Sequence, residues 1–570
     1  MKPHPFRFAV LLCLSLANVA QADQRPLLID DAKLTLVHKD FQLADGAGWD
    51  GRSTLYVPDV KGSKLLSFDL RKLNAPPKVR HEGARISGCC YQLGKLYISD
   101  NGNSQIATIG KTGPPVTLAK LDPKKRPNDL VVDVNGNVYV TITAEGVVRR
   151  VDPQGRVEVV IKDLVTPNGI ALSPDGSTLY VSSAKEGTIS QATITDGKQP
   201  WPATTFAQLD KKDDGFRGDG MCVDRAGNVY VTGAETVSVF NPSGKRIAEI
   251  KTPARPINAI IGGAAGRTLF ISTFEGLYSL QLHAYGVLPN PPQTDLSDVP
   301  TSKLVNAIDQ QLNVVYANIS GRKLLMDVFN PVTTSGEPKP AVVLVHGGGW
   351  LKGDKTKFRS LALRLTKRGY FVAAIEYRLG FEAKFPAGIR DCNAATSFVR
   401  SNAGRWNINP DRITAVGGSA GGHLVGLMAS GSNNEQLRHA QATHASCRLS
   451  AAVVMAGPLQ ITSGSVADKS HDLAMPSNAV NWLGGTIDSL PDLYALADAT
   501  EKIDANTPPI FFISGSLDTP ERNDLAREKL KALGIATKIK VHEDAKHGHW
   551  NRPDWIGQVV QDIDDMISSY

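Results

Sequence analysis

The stretch Ile413-Thr414-Ala415-Val416-Gly417-Gly418-Ser419-Ala420-Gly421-Gly422-His423-Leu424-Val425-Gly426-Leu427-Met428 decides how the second half of this chain is read. Four residues of strand character run into Gly-x-Ser-x-Gly, and an apolar helix-forming run follows, so the serine is expected on a tight turn between a strand and a helix. Such a turn puts its central residue under backbone strain, and only glycine leaves room at the flanking positions. The helix that begins there offers free amides and the positive end of its dipole to any negative charge near the serine oxygen.

Outward from this turn, other short apolar runs, Ala341–Val345, Phe371–Ile375 and Ile510–Ile513, alternate with amphipathic stretches. Buried parallel strands read this way, and the expected fold is a doubly wound, mostly parallel α/β sheet whose site lies beyond the strand carboxyl ends. The first of these runs leads into His346-Gly347-Gly348-Gly349-Trp350. A glycine loop in that place supplies backbone amides for an oxyanion hole: Gly348 and Gly349, joined by Ala420, are the expected donors, and His346 is expected to orient the loop and not to act as a base. In such a fold the acid and the base follow the serine in chain order. Asp518, one turn past the strand Ile510–Ile513, is the expected acid, and His547, after the strand-like Lys538–Val541, is the expected base. Glu521 and Asp524 compete for the first role, and His542 and His549 for the second.

His346 to Trp350, Glu376-Tyr377-Arg378-Leu379, Gly417 to His423, Gly515-Ser516-Leu517-Asp518 and His547-Gly548-His549-Trp550 together resemble the esterase and lipase branch of the α/β-hydrolases. Within that branch the domain looks like secreted feruloyl and acetyl esterases acting on plant polysaccharides. The resemblance implies a carboxylic ester hydrolase that needs no cofactor and acts on small-molecule or polysaccharide esters. The family often has phenylalanine where this chain has His549.

The first half has a different grammar. Leu55-Tyr56-Val57 recurs as Leu96-Tyr97-Ile98, Val138-Tyr139-Val140, Leu179-Tyr180-Val181, Val229-Tyr230-Val231 and Leu269-Phe270-Ile271. The copies lie roughly 40–50 residues apart, the length of a four-stranded propeller blade, so an all-β, six-bladed β-propeller is expected. Turn sequences agree, since Asn135-Gly136-Asn137, Pro174-Asp175-Gly176 and Ala226-Gly227-Asn228 each precede a repeat strand.

Four polar segments fall at similar places in different blades: Asp45 to Trp49, Arg126-Pro127-Asn128-Asp129, Thr166-Pro167-Asn168-Gly169 and Gly218-Asp219-Gly220-Met221. With them the chain resembles the gluconolactonase and regucalcin family, six-bladed propellers that hold a divalent cation and open sugar lactones. The resemblance implies Asp45, Asn168 and Asp219 as metal ligands, and Arg126 and Asn128 as contacts to substrate. Glutamate is usual where Asp45 stands, one methylene longer. An oxygen-only ligand set favours Ca2+ or Mg2+. The propeller is then either a second enzyme or a carbohydrate-binding module.

A chain of 570 residues exceeds one hydrophobic core, so two domains are expected. Residues 1–22 read as a signal peptide, with Lys2 and Arg7 before an apolar run and small residues at Ala20 and Ala22, implying a secreted or periplasmic protein. The propeller is assigned to 23–285, a proline-rich spacer to 286–300 and the hydrolase to 301–570. The net charge of +7 is scattered, without a basic run or nucleic-acid motif, and reads as solvated surface with at most a weak attraction to uronate-like polymers. No later segment is apolar enough to span a membrane, and the oligomeric state is left open. Cys392 and Cys447 share the second domain and can either bridge or remain thiols.

Overall fold

The computed structural model describes residues 27–570, apart from 30, 196, 198, 214, 298, 300–304, 334–335 and 439–445 and the side chain at 306. Residues 1–22, expected to be a signal peptide, lie outside the described residues. Six four-stranded antiparallel sheets form the first half. The first blade comprises Gly48–Trp49, Thr54–Asp59, Lys64–Asp69 and Lys78–Glu82. The sixth takes Pro256–Gly262, Thr268–Thr273 and Leu277–Gln281 and borrows its outer strand, Thr35–His38, from before the first blade, with Thr35 opposite Ser279.

Each Leu-Tyr-Val copy is the second strand of its blade, and its uninterrupted apolar character has a packing cause. Val138 and Val140 point into one inter-blade core while Tyr139 points into the next, so both strand faces are buried. The tyrosines also secure the preceding hairpins. Tyr139 Oη donates to Asp133 Oδ2 at 3.3 Å, while Asp133 Oδ1 accepts the amides of Asn135 and Asn137 at 2.9 Å each; Tyr230 and Asp224 repeat the arrangement at 3.1 Å.

The second half is built on an eight-stranded mixed sheet, ordered Val305–Ile319, Arg322–Thr333, Phe371–Ile375, Lys339–Val345, Ile408–Gly418, Ala451–Met455, Ile510–Gly515 and Thr537–His542. The first two strands run antiparallel and the other six parallel to one another. Alternate residues of Lys339–Val345 enter different cores: Val343 and Val345 meet the helix Ala420–Ser430, whereas Val342 and Leu344 meet Arg359–Lys367 and Pro553–Ile567. This two-sided cover is that of an α/β-hydrolase.

The proline-rich stretch does not hang free as a spacer would. It lies across one end of the propeller, with Asn290 8% exposed. Its amide donates to Gln92 Oε1, and its side chain accepts from Arg359 Nη2 at 3.0 Å. Elsewhere on this interface Lys323 Nζ meets Asp175 Oδ2 at 2.6 Å. All five cysteines among the described residues are free thiols, so the bridging alternative for Cys392 and Cys447 is not realised: Cys392 is fully buried in the core on the inner face of the helix Ala387–Ser401.

Candidate functional site

Ser419 follows the central strand Ile408–Gly418 and has φ 57° and ψ −126°, a conformation that costs about 1–3 kcal/mol and persists only where its surroundings enforce it. Three glycines show how. A Cβ on Gly421 would stand 2.1 Å from Val345 O, one on Gly417 2.3 Å from Gly421 O, and one on Gly418 2.7 Å from the Trp550 ring. The Ser419 amide is held by Met455 O at 2.8 Å, and its carbonyl accepts from the His423 amide at 3.0 Å. Strand and helix are thus clamped around the turn.

His547 Nε2 lies 3.0 Å from Ser419 Oγ, and its Nδ1 lies 2.7 Å from Asp518 Oδ2. Asp518 sits in the first turn after Ile510–Gly515, its amide bonded to Gly515 O at 3.0 Å. A partner that the sequence reading missed is Arg522. It donates to Asp518 Oδ1 at 3.2 Å and to Ala456 O at 2.6 Å, tying the acid to the strand beside the serine. The competing residues lie elsewhere. Glu521 is exposed in the turn beyond, and Asp524 pairs with Arg527. His542 and His549 share a contact of 2.9 Å, and His542 reaches Asp562 at 2.7 Å in a buried chain. His549 is fully buried, and burial first, then the neighbouring His542, pushes its pKa down to about 4. This chain holds it away from the serine.

The glycine loop rests directly on the turn, since a Cβ on Gly347 would stand 2.4 Å from Gly418 O and 3.0 Å from Ser419 Cβ. Gly348 and Gly349 take φ of 140° and 60°, and Ala420, first in its helix, has no intrahelical acceptor for its amide. His346 is stacked on Tyr377 at 4.4 Å, accepts that tyrosine's hydroxyl at its own carbonyl at 3.0 Å, and is held neutral by burial, its pKa near 3. It supports the loop and is remote from base chemistry.

The second candidate lies at the end of the propeller channel where the inner strands begin. Asp45, Asn168 and Asp219 gather there with Asn128, whose Nδ2 donates to Asn168 Oδ1 at 2.6 Å. Burial, then the charges of Asp219 and Asp129, raises the Asp45 carboxyl well above its ordinary value, and burial raises Asp219 to about 7. Arg126 is exposed. The arginine that approaches is instead Arg255, 3.3 Å from Asp219 and 5.3 Å over the Phe274 ring, which no motif in the sequence marked. Among the described residues no three His, Cys, Asp or Glu side chains are arranged to hold a metal. The donor set of two carboxylates and an asparagine oxygen nevertheless fits a hard cation, because a buried carboxyl such as Asp45, raised by burial and by the charges of Asp219 and Asp129, is relieved by one. Deeper in, the channel opens into a cavity of about 430 Å³ between the domains, lined by Asp129 and Cys222 on one side and Leu312 and Lys355 on the other.

Fold and geometry together define a six-bladed propeller joined to an α/β-hydrolase domain. Residues 43–275 match the SMP-30/Gluconolactonase/LRE-like region, and residues 326–525 match the BD-FAE family, so the chain carries a gluconolactonase-like propeller and a BD-FAE domain. Curated relatives divide the same way. Esterase LipQ of Mycobacterium tuberculosis is 28% identical over 200 residues, 35% of this chain and 47% of its own length. A gluconolactonase of Zymomonas mobilis is 29% identical over 223 residues, 34% of this chain and 62% of its own length. A solved gluconolactonase from Xanthomonas campestris aligns with 46% of this chain and 92% of its own at 26% identity, TM-score 0.41. The chain thus spans only about half to three fifths of the curated relatives' length.

Proposed function

We propose that the C-terminal domain is a serine carboxylic ester hydrolase of an exported protein and that it removes acetyl or feruloyl groups from carbohydrates. One observation carries the reading: a single imidazole, His547, spans Ser419 Oγ at 3.0 Å and Asp518 at 2.7 Å. In this account His547 Nε2 takes the Ser419 proton as Oγ attacks the ester carbonyl carbon, and Asp518 holds the Nδ1–H and balances the imidazolium charge. The amides of Gly348, Gly349 and Ala420 face the developing oxyanion. His547 then returns the proton to the departing alcohol, and a water activated in the same way releases the acid. The family resemblance supports the choice of acyl group. Hydrolysis of short p-nitrophenyl esters tests the reading: Ser419→Ala is expected to lower kcat at least about 10³-fold, and unchanged turnover would sink the assignment.

For the propeller, the acids at the channel mouth favour a second reading, a metal-dependent sugar lactonase, with a non-catalytic carbohydrate-binding module as its alternative. Asp45, Asn168 and Asp219 would hold Ca2+ or Mg2+, which when bound supplies Lewis-acid polarisation of a carbonyl. Asn128, bonded to Asn168, would meet substrate hydroxyls around it, and Arg255, beside Asp219, would take the part first expected of Arg126. Chelator-sensitive lactone opening that survives Ser419→Ala but is lost in Asp219→Ala is the expected result. A purified protein that binds glycans but neither retains nor takes up a divalent cation favours the binding module.

A further inference from the structure

The loop that presents Gly348 and Gly349 to the serine is braced from outside its own domain. Gly348, Gly349, Trp350 and Gly353 all have positive φ, at 140°, 60°, 60° and 104°, so this segment has no strand or helix ladder to fix its peptide planes. Their directions depend on what holds the carbonyls. Within the hydrolase, Lys357 Nζ donates to Gly347 O at 3.0 Å and the Gly380 amide donates to Trp350 O at 2.9 Å. The other two anchors come from the propeller side. Tyr285, just past the last blade, donates its hydroxyl to Leu351 O at 2.7 Å, and Arg225, on the hairpin of the fifth blade, donates from Nη1 to Gly353 O at 3.1 Å.

These contacts connect to the oxyanion donors through rigid peptides. The Leu351 amide donates to Gly348 O at 3.2 Å, and because a peptide unit is planar and trans, fixing that carbonyl fixes the N–H of Gly349 on its opposite edge. Tyr285 anchors Leu351 by its other end. Gly353 in turn is pressed onto the base of the loop, where a Cβ would stand 2.8 Å from both Gly347 O and His346 Nδ1. The carbonyl of Gly347 shares its peptide plane with the N–H of Gly348. Both external anchors are themselves fixed. Arg225 and Tyr285 are 5% and 4% exposed, the Arg225 amide donates to Tyr285 O at 2.7 Å, and its guanidinium lies 5.6 Å over the Tyr285 ring and 3.9 Å from Asp354.

We propose that Arg225 and Tyr285 are positioning residues for the ester hydrolase, and that the propeller sets the aim of the oxyanion donors in the neighbouring domain. This rests on the reading of Ser419 as an ester nucleophile. The test uses the full chain and short p-nitrophenyl esters. Tyr285→Phe, which removes one hydroxyl, and Arg225→Met are each expected to lower kcat about tenfold with KM within twofold, a fraction of the 10²–10³ that losing an oxyanion donor itself costs. Arg225→Lys, which keeps a donor, is expected to recover most of the rate. Lys323→Ala breaks a different contact between the domains and is expected to leave kcat unchanged. The proposal is overturned if kcat stays within twofold in both Tyr285→Phe and Arg225→Met, or if Lys323→Ala loses as much as they do, since the propeller would then contribute general docking and no aim. An inactive wild type, or an active Ser419→Ala, would instead remove the hydrolase reading.

Discussion

Asp518 has two partners, and they differ in kind: His547 on Oδ2 takes part in the proposed proton transfer, while Arg522 on Oδ1 only holds the carboxylate in place. Asp518→Asn is expected to lower kcat about 10⁴-fold by imposing the wrong imidazole tautomer, as such a change does in a serine–histidine–aspartate site. Arg522→Ala should cost only about tenfold, because the bond to His547 survives and electrostatic support from one partly exposed arginine is modest. Steady-state kinetics on one ester separates the two. The buried histidines make a pH prediction. His346, His423 and His549 are held neutral mainly by burial, with pKa near 3, 4 and 4, below the roughly 6.5 of free imidazole. As pH falls below about 6.5 the unfolded chain binds protons that the native chain refuses, so stability is full above that value and drops by up to about 1.4 kcal/mol per pH unit per histidine below it. Over pH 6.5 to 4 this histidine loss is opposed by Asp129, Asp219 and Asp224, whose carboxyls burial raises to about 7, 7 and 6 and which stabilise the native chain as they take up protons, so the check is comparative: His549→Phe should lose less Tm, or gain more, than the unsubstituted protein across that range. The places of Asp518 and His547 beside Ser419 could be read ahead of the structure because strand order puts the loops after Ile510–Gly515 and Thr537–His542 next to the serine turn. Arg522 and Arg255 were not, since each acts through a neighbour that only folding brings near.

At the scale of elements, glycines that look alike in sequence have opposite consequences. A methyl on Gly418 would collide with Trp550 at 2.7 Å, whereas one on Gly557, inside the helix Pro553–Ile567, meets nothing within 4 Å. Gly557→Ala should stabilise the protein by about 0.5–1 kcal/mol, through helix propensity and a less flexible unfolded chain. Gly418→Ala should destabilise it and lower activity, as Trp550 also packs edge-on against His547 at 5.2 Å. Thermal melts of both variants check the contrast. The blade strands could be read from the chain because burial on both faces leaves an unbroken apolar triplet that recurs once per blade. The outer strands could not: Lys78–Glu82 and Val116–Lys120 are largely exposed, and their polar residues carry no pattern that distinguishes them from loop.

Across the whole molecule, the proline-rich segment was expected to separate the domains, and composition alone supports that reading. Burial of Asn290, with Gln92 on one side and Arg359 on the other, shows a segment pinned between them, which composition cannot reveal because it depends on two surfaces distant in sequence. With Arg225–Asp354 and Lys323–Asp175 also spanning the boundary, the two halves should unfold in one calorimetric transition. Two well-separated transitions would show that these contacts do not couple them. The outer strand of the sixth blade has a temporal implication. Thr35–His38 pairs with Leu277–Gln281, so during synthesis this first strand of the ring waits for its native neighbour until the last blade has emerged. The ring thus closes late, at about the time the surface that will carry the hydrolase is completed.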